Sequence, residues 1–191
     1  MKIVFFGDSY TQGMPFPTND PKIWPNLLGK KCDAEVINRH VKGGSNQAIL
    51  REFCRYFQNN TADLAIIMWS HWLRNEVMMN EKRFQIQPAT TNFPKDFVEE
   101  FYGHSNENLE WEDFLDKVWM VDKICPVPHF QGCCFPLYKD FDKPINWFPF
   151  NMWELSLKMT TCNHPEKIGH ANIYEHMYKH LQICNLISLK L

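Results

Sequence analysis

Three short stretches carry side chains that could act together chemically. The first is Gly7-Asp8-Ser9-Tyr10-Thr11-Gln12-Gly13, which directly follows the apolar run Ile3-Val4-Phe5-Phe6. A serine at a strand-to-helix turn sits beside backbone N–H groups that can hold a developing oxyanion. Taken alone, the same residues also make a plain turn in which Ser9 caps a helix. The second is Asn38 with Lys42-Gly43-Gly44-Ser45-Asn46. Its glycines let backbone approach a ligand closely and bring N–H groups to a helix start, where negative charge is favoured. The plainer reading is loop glycines with an Asn or Ser cap. The third is Asn163-His164-Pro165, followed by Gly169-His170. A histidine held by a proline turn before a helix is a candidate general base, although a lone histidine is more often structural.

Elements must bring these stretches to one place. Residues 3–6 and 63–69 are continuous apolar runs, as expected of parallel strands covered on both faces. Residues 34–38 make a further strand between them. Residues 21–31 suggest a short helix, and 45–59 a longer one, with Ile49, Phe53 and Phe57 at helical spacing behind Ser45 or Asn46 as cap. Strand alternating with helix predicts a parallel sheet, whose ligands bind at the carboxyl ends of its strands. Residues 75–110, with Pro88, Pro94 and Gly103, break the rhythm and are expected to be an insertion, a lid or a partly helical excursion within a single domain spanning 1–191. A helix over 110–123, a strand over 127–135 and a terminal helix over 166–189 follow. Residues 136–162 carry no clear pattern.

Composition narrows the field. The chain has 191 residues and a net charge of -2, so a nucleic-acid partner is not expected. The apolar run Leu64 to Trp69 is far short of a membrane span. Strand one begins at once and the seven cysteines show no C-x-x-C spacing, so reduced thiols in a cytoplasmic setting are expected. His176 and His180 lie four apart without the intervening glutamate of a zinc-protease helix, and no metal or cofactor is expected. Aromatic residues reach 15%. Trp69, Trp72, Phe93, Phe97, Phe101, Tyr102 and Trp111 fall in or near the insertion, either as a wall over Ser9 or as a satellite core.

The three stretches, in this order, resemble the conserved blocks of the SGNH, or GDSL-type, hydrolases. Ile3 to Ser9 resembles the first block, Asn38 with Gly43 the second, and His164-Pro165 with Gly169-His170 the last. Gly43 to Asn46, and Trp69, Ser70, Arg74 and Glu76, are similar to a subgroup common among phage and marine microbial sequences. The resemblance implies a flavodoxin-like three-layer α/β/α sandwich with about five parallel strands. It also implies an ester hydrolase with Ser9 as nucleophile and His164 as base. The N–H groups of Ser9 and Gly43 or Gly44 would line an oxyanion hole. Asp8, Trp69, Trp72 and Arg74 are candidate substrate contacts, with bracing of the loop the more economical role for Arg74 and Glu76.

Two positions depart from that family. Where its third block carries a Gly-x-Asn-Asp motif, this chain has Trp69-Ser70-His71-Trp72, which leaves Ser70, Asn46 or no side chain as third donor. Where an aspartate precedes the catalytic histidine by three or two residues, it has Thr161 and Cys162. One of these, or a main-chain carbonyl, would orient the imidazole. The leading reading is a serine esterase acting on a small-molecule or carbohydrate ester. The competing readings are a weak or inactive binding or virion-associated protein on the same scaffold, and a phosphate or flavin binder. Oligomeric state stays open.

Overall fold

The computed structural model describes residues 1–88, 93–156, 159–161 and 163–184. The chain runs through β1 (Lys2–Gly7), α1 (Ser9–Gln12), α2 (Trp24–Cys32), β2 (Glu35–His40), α3 (Asn46–Asn59) and β3 (Leu64–Trp69). It continues through β4 (Asn75–Met79), β5 (Lys82–Ile86), α4 (Lys95–Gly103) and α5 (Glu107–Ile124). It ends with β6 (His129–Cys133), β7 (Trp147–Asn151), α6 (Met152–Leu155) and α7 (Lys167–Ile183).

Five strands form a parallel sheet in the order β2-β1-β3-β6-β7. In sequence order this is the flavodoxin-like 2-1-3-4-5 arrangement, which reverses direction at the first strand. The loops after β1 and β3 therefore diverge, and a crevice opens at the carboxyl end of β1.

Strand alternation divides the core into two layers. Ile3 and Phe5 of β1 and Leu64, Ile66 and Met68 of β3 face Trp24 and Leu28 of α2 and Ile173, Met177 and Leu181 of α7. Val4 and Phe6, with Ala65, Ile67 and Trp69, face Ile49 and Phe53 of α3 and Phe114, Val118 and Val121 of α5. Both faces are covered, which is why Ile3 to Phe6 of β1 and Leu64 to Trp69 of β3 are apolar at every position rather than at alternate ones. Each fully buried Phe, Leu or Ile contributes ~1.5–3 kcal/mol, so these layers fix where the strand ends point.

Several elements differ from expectation. The second helix begins at Trp24, with Pro25 in its first turn, rather than at residue 21. Residues 75–110 hold an antiparallel hairpin, β4 with β5, followed by α4 and the start of α5. Residues 136–162 contain the edge strand β7 and the turn of helix α6. The proline within its Trp-Phe-Pro-Phe-Asn sequence is tolerated because β7 pairs on one side only. The terminal helix is described as far as Ile183, and its expected extension to 189 lies outside the described residues. No helix among the described residues is long and apolar enough to cross a membrane.

Candidate active site

Ser9 leaves β1 as the first residue of α1. Asp8, not Ser9, caps that helix: its Oδ1 accepts from the Tyr10 amide at 2.9 Å. The plain-turn reading, with Ser9 as cap, is corrected by this arrangement, which leaves the Ser9 hydroxyl free for another partner. Gly7 must be glycine, because a Cβ there would collide with the Thr11 side chain and lie 2.9 Å from the Met68 carbonyl.

That other partner is His164, whose Nε2 lies 2.8 Å from Ser9 Oγ across 155 residues of sequence. The histidine loop is tied down along its length. Thr160 N–H donates to the His164 carbonyl at 2.8 Å, and the Asn163 amide donates to the Thr160 carbonyl at 3.0 Å. The His164 amide donates to Thr160 Oγ1 at 3.3 Å. Asn163 itself turns the chain in the left-handed region, at φ 57°. Thr161, an expected orienting residue, is exposed, and no hydrogen bond joins its side chain to His164 among the described residues. Cys162, the other, lies outside the described residues.

Ser9 and His164 open onto a cavity of about 440 Å³ lined also by Tyr10, His71, Arg74, Gln87, Pro88, Phe135, Trp153 and Asn163. Phe135 and the 41%-exposed Trp153 lie 5.8 Å apart, tilted by 32°, and together give the cavity an aromatic wall. From the 75–110 stretch only Gln87 and Pro88 reach this lining among the described residues. Of the two expectations for the aromatics in or near this stretch, a wall over Ser9 or a satellite core, their packing among the described residues matches the satellite core. Phe93 packs on Phe84 and Phe97, Trp111 is core, and the Tyr102 hydroxyl donates to the Leu73 and Ile86 carbonyls at 2.7 and 3.0 Å.

Asp8 is fully buried behind the serine, and expectation is corrected here: it is out of reach of a substrate. Its Oδ2 accepts from Ser70 Oγ at 2.8 Å and Arg74 Nη1 at 3.0 Å, and its Oδ1 also accepts from Cys134 Sγ at 3.4 Å. A buried carboxylate requires such partners. Ser70, expected as an oxyanion donor, therefore spends its hydroxyl proton on Asp8. Asn46, the alternative donor, clips the loop after β3: its Oδ1 accepts from the Ser70 amide at 2.9 Å and its Nδ2 faces the His71 carbonyl at 3.4 Å. Gly44 also departs from expectation, because its amide donates to the Val41 carbonyl at 2.8 Å. Gly43 adopts φ 66°, favoured by glycine, but neither glycine is part of the cavity lining.

Trp69 and Trp72 are likewise not substrate contacts. Trp69 is fully buried and donates Nε1–H to Gln131 Oε1 at 2.9 Å, while Trp72 packs on Tyr138 and Trp111. Only Arg74 of the four expected substrate neighbours lines the cavity. Burial pushes the Cys133 and Cys134 thiols far up, so neither is a thiolate near the site. Burial, with the Arg74 charge nearby, pulls His71 down and so favours its neutral form. His71, Phe135 and Trp153 were not singled out for the site from sequence. His71 carried a usable signal, since it lies just past the carboxyl end of β3, where a parallel sheet places its ligands.

The fold is that of solved GDSL-type lipolytic proteins. Esterase EstA from Pseudoalteromonas sp., solved inhibited by monoethylphosphonate, is similar at 14% identity, covering 96% of this chain and 98% of its own, with a TM-score of 0.60. A lipase/acylhydrolase from Enterococcus faecalis matches at 13% identity, 100% and 98% coverage and a TM-score of 0.60. A member of the lipolytic G-D-S-L family from Veillonella parvula matches at 11%, 95% and 98% coverage and 0.61. Among curated proteins none matches the sequence. The chain belongs to a family of unknown function, DUF6071, whose model matches residues 16–117.

Proposed function

We propose that the protein hydrolyses carboxylic esters through an acyl-enzyme on Ser9. The observation that carries this reading is the 2.8 Å contact between Ser9 Oγ and His164 Nε2 at the mouth of an aromatic-walled cavity. A serine hydroxyl is a weak nucleophile until an adjacent base takes its proton. His164 accepts that proton as Oγ bonds to the ester carbonyl carbon, then delivers it to the departing alcohol. Water, deprotonated by His164 in turn, releases the acid and restores Ser9. The likeness in fold to esterases and lipases supports the class, and the exposed aromatic wall of Phe135 and Trp153 supports a small acyl or carbohydrate ester as substrate.

The test is hydrolysis of p-nitrophenyl acetate together with labelling by a fluorophosphonate. Wild type should turn over the ester and take one label on Ser9. Ser9→Ala should lose both, and His164→Ala should lose turnover. Equal background rates for wild type and Ser9→Ala, with no labelling, would leave a binding protein on this scaffold.

A further inference from the structure

The ester-hydrolase reading leaves one question open: which side chain receives the charge that builds on the substrate oxygen. Ser70 and Asn46 stand nearby but are committed, the first to Asp8 and the second to the Ser70 amide and the His71 carbonyl. The Tyr10 hydroxyl donates to the Asn163 carbonyl at 2.9 Å. Arg74 uses Nη1 on Asp8 and Nε on Gln87 Oε1, at 3.0 and 2.9 Å.

His71 is placed differently. It lines the same cavity as Ser9 and His164. Its Nδ1 accepts the Leu73 amide proton at 3.1 Å, so the ring proton of the neutral imidazole must be on Nε2. Nε2 makes no hydrogen bond among the described residues and is not fully buried. The ring cannot swing freely. It stacks on Trp72 at 5.5 Å and 24° and meets the Phe135 ring at 5.8 Å. The backbone beneath it is held by Asn46 and by the Arg74 amide, which donates to the His71 carbonyl at 2.9 Å.

Resting on the hydrolase reading, we propose that His71 donates its Nε2–H to the oxyanion formed when Ser9 attacks the substrate carbonyl. As the Ser9 Oγ–carbon bond forms, the Oγ proton passes to His164 Nε2 and the carbonyl π pair moves onto oxygen. His71 keeps its proton and lends a hydrogen bond to that oxygen. When the pair returns, the C–O bond to the alcohol breaks and His164 protonates the leaving oxygen. A fixed donor of this kind acts without reorganising at the moment of reaction, which is what makes such donors effective.

Two measurements test this. The first compares wild type, Ser9→Ala, His71→Phe and His71→Gln on p-nitrophenyl acetate. Phenylalanine keeps a ring for Trp72 and removes the N–H, so kcat should fall ~10²–10³-fold with KM little changed, as for loss of one oxyanion donor. Glutamine restores a donor and should recover part of that loss. The second uses wild type alone, labelled with 15N-histidine and phosphonylated at Ser9 by an ethyl fluorophosphonate. The His71 Nε2–H signal should move downfield and exchange more slowly. A His71→Phe kcat less than about tenfold below wild type, or an adduct that leaves the His71 signal unmoved, overturns the assignment. Failure of Ser9 to label or to support turnover in wild type is a separate result, which overturns the hydrolase reading and this one with it.

Discussion

The Tyr10 hydroxyl donates to the Asn163 carbonyl at 2.9 Å, which joins the residue after Ser9 to the residue before His164. The same ring lies 5.3 Å from the His164 imidazole and 5.3 Å from Phe135. One side chain thus sets the spacing of the two halves of the candidate dyad. Removing the hydroxyl forfeits a neutral hydrogen bond, worth ~0.5–1.5 kcal/mol. Its effect on turnover should be larger than its effect on stability, because small displacements of a reacting pair are costly. Tyr10→Phe should lower kcat roughly tenfold to a hundredfold while the protein stays folded at room temperature. Turnover and urea unfolding measured on the same preparation check this, and equal kcat in the two proteins would show that the His164 loop needs no such tie.

The positions of Ser9 and Ser70 just past β1 and β3 were legible because continuous apolar runs report the strands of a parallel sheet, whereas His164 follows α6 rather than a strand, and its nearness to Ser9 was implied only by the resemblance to GDSL-type hydrolases. What lay beyond reading was which polar atoms were already used. Ser70 and Asn46 have the chemistry of oxyanion donors, yet the buried carboxylate of Asp8 and the amide after β3 claim them first. Those partners come from elements 62 and 24 residues apart, a separation that no local pattern encodes. β7 was missed for a related reason. An edge strand with a proline at its centre lacks the continuous apolar run that marked β1 and β3.

The buried Asp8 carboxylate and the Arg74 guanidinium, whose side chain is only 12% exposed, form an ion pair behind Ser9. Removing one partner of such a pair strands the other, at a cost of ~3–5 kcal/mol. Asp8→Asn and Arg74→Met should each lose stability in that range. The double variant should lose less than the sum, since it leaves neither charge alone. Urea unfolding of the four proteins tests the coupling. Strict additivity, or single losses below about 1 kcal/mol, would mean the pair behaves like an exposed one.

His170 is fully buried in α7 against Phe16, and burial pulls its pKa from 6.5 to about 4. Between those pH values the unfolded chain binds a proton that the folded one refuses. Its contribution is therefore complete above pH 6.5, is lost as pH falls toward 4, and changes no further below that. At ~1.4 kcal/mol per pH unit the loss is roughly 3 kcal/mol. Burial lowers His40, His71, His129 and His180 as well, so they add with the same sign. Unfolding free energies at pH 7 and pH 4.5 should differ less in His170→Gln than in wild type. An identical pH dependence would show that His170 is accommodated as a cation in the fold.

The β4–β5 hairpin is anchored by a chain of hydrogen bonds that ends on the glycine loop. Arg51 of α3 makes a two-point contact with Glu76, through bonds of 2.7 and 2.6 Å. Glu76 accepts from Gln85 Nε2 at 2.7 Å, and Gln85 Oε1 in turn accepts from the Ser45 amide at 2.6 Å. The Arg51 guanidinium holds the Glu76 carboxyl below the usual carboxylate range. This contribution is present above the ordinary pKa of glutamate and is lost as pH falls through the depressed one. Hydrogen bonds to a charged group contribute ~1.5–3 kcal/mol, so Glu76→Gln should cost about that much, less what water recovers at the partly exposed Arg51. The loss should be local. Amide exchange should rise through β4 and β5 before it rises in β1 and β3, whose strands are buried on both faces. Gln85→Ala leaves the Ser45 amide without its acceptor and should loosen the 41–45 loop as well. Gln87 follows the hairpin and lines the cavity, so slackening should raise KM for a bulky ester more than it lowers kcat for p-nitrophenyl acetate. Hydrogen-exchange mass spectrometry of both variants decides the matter. If the hairpin peptides exchange at wild-type rates in Glu76→Gln, the hairpin is held by its apolar contacts and the Arg51–Glu76 pair is incidental.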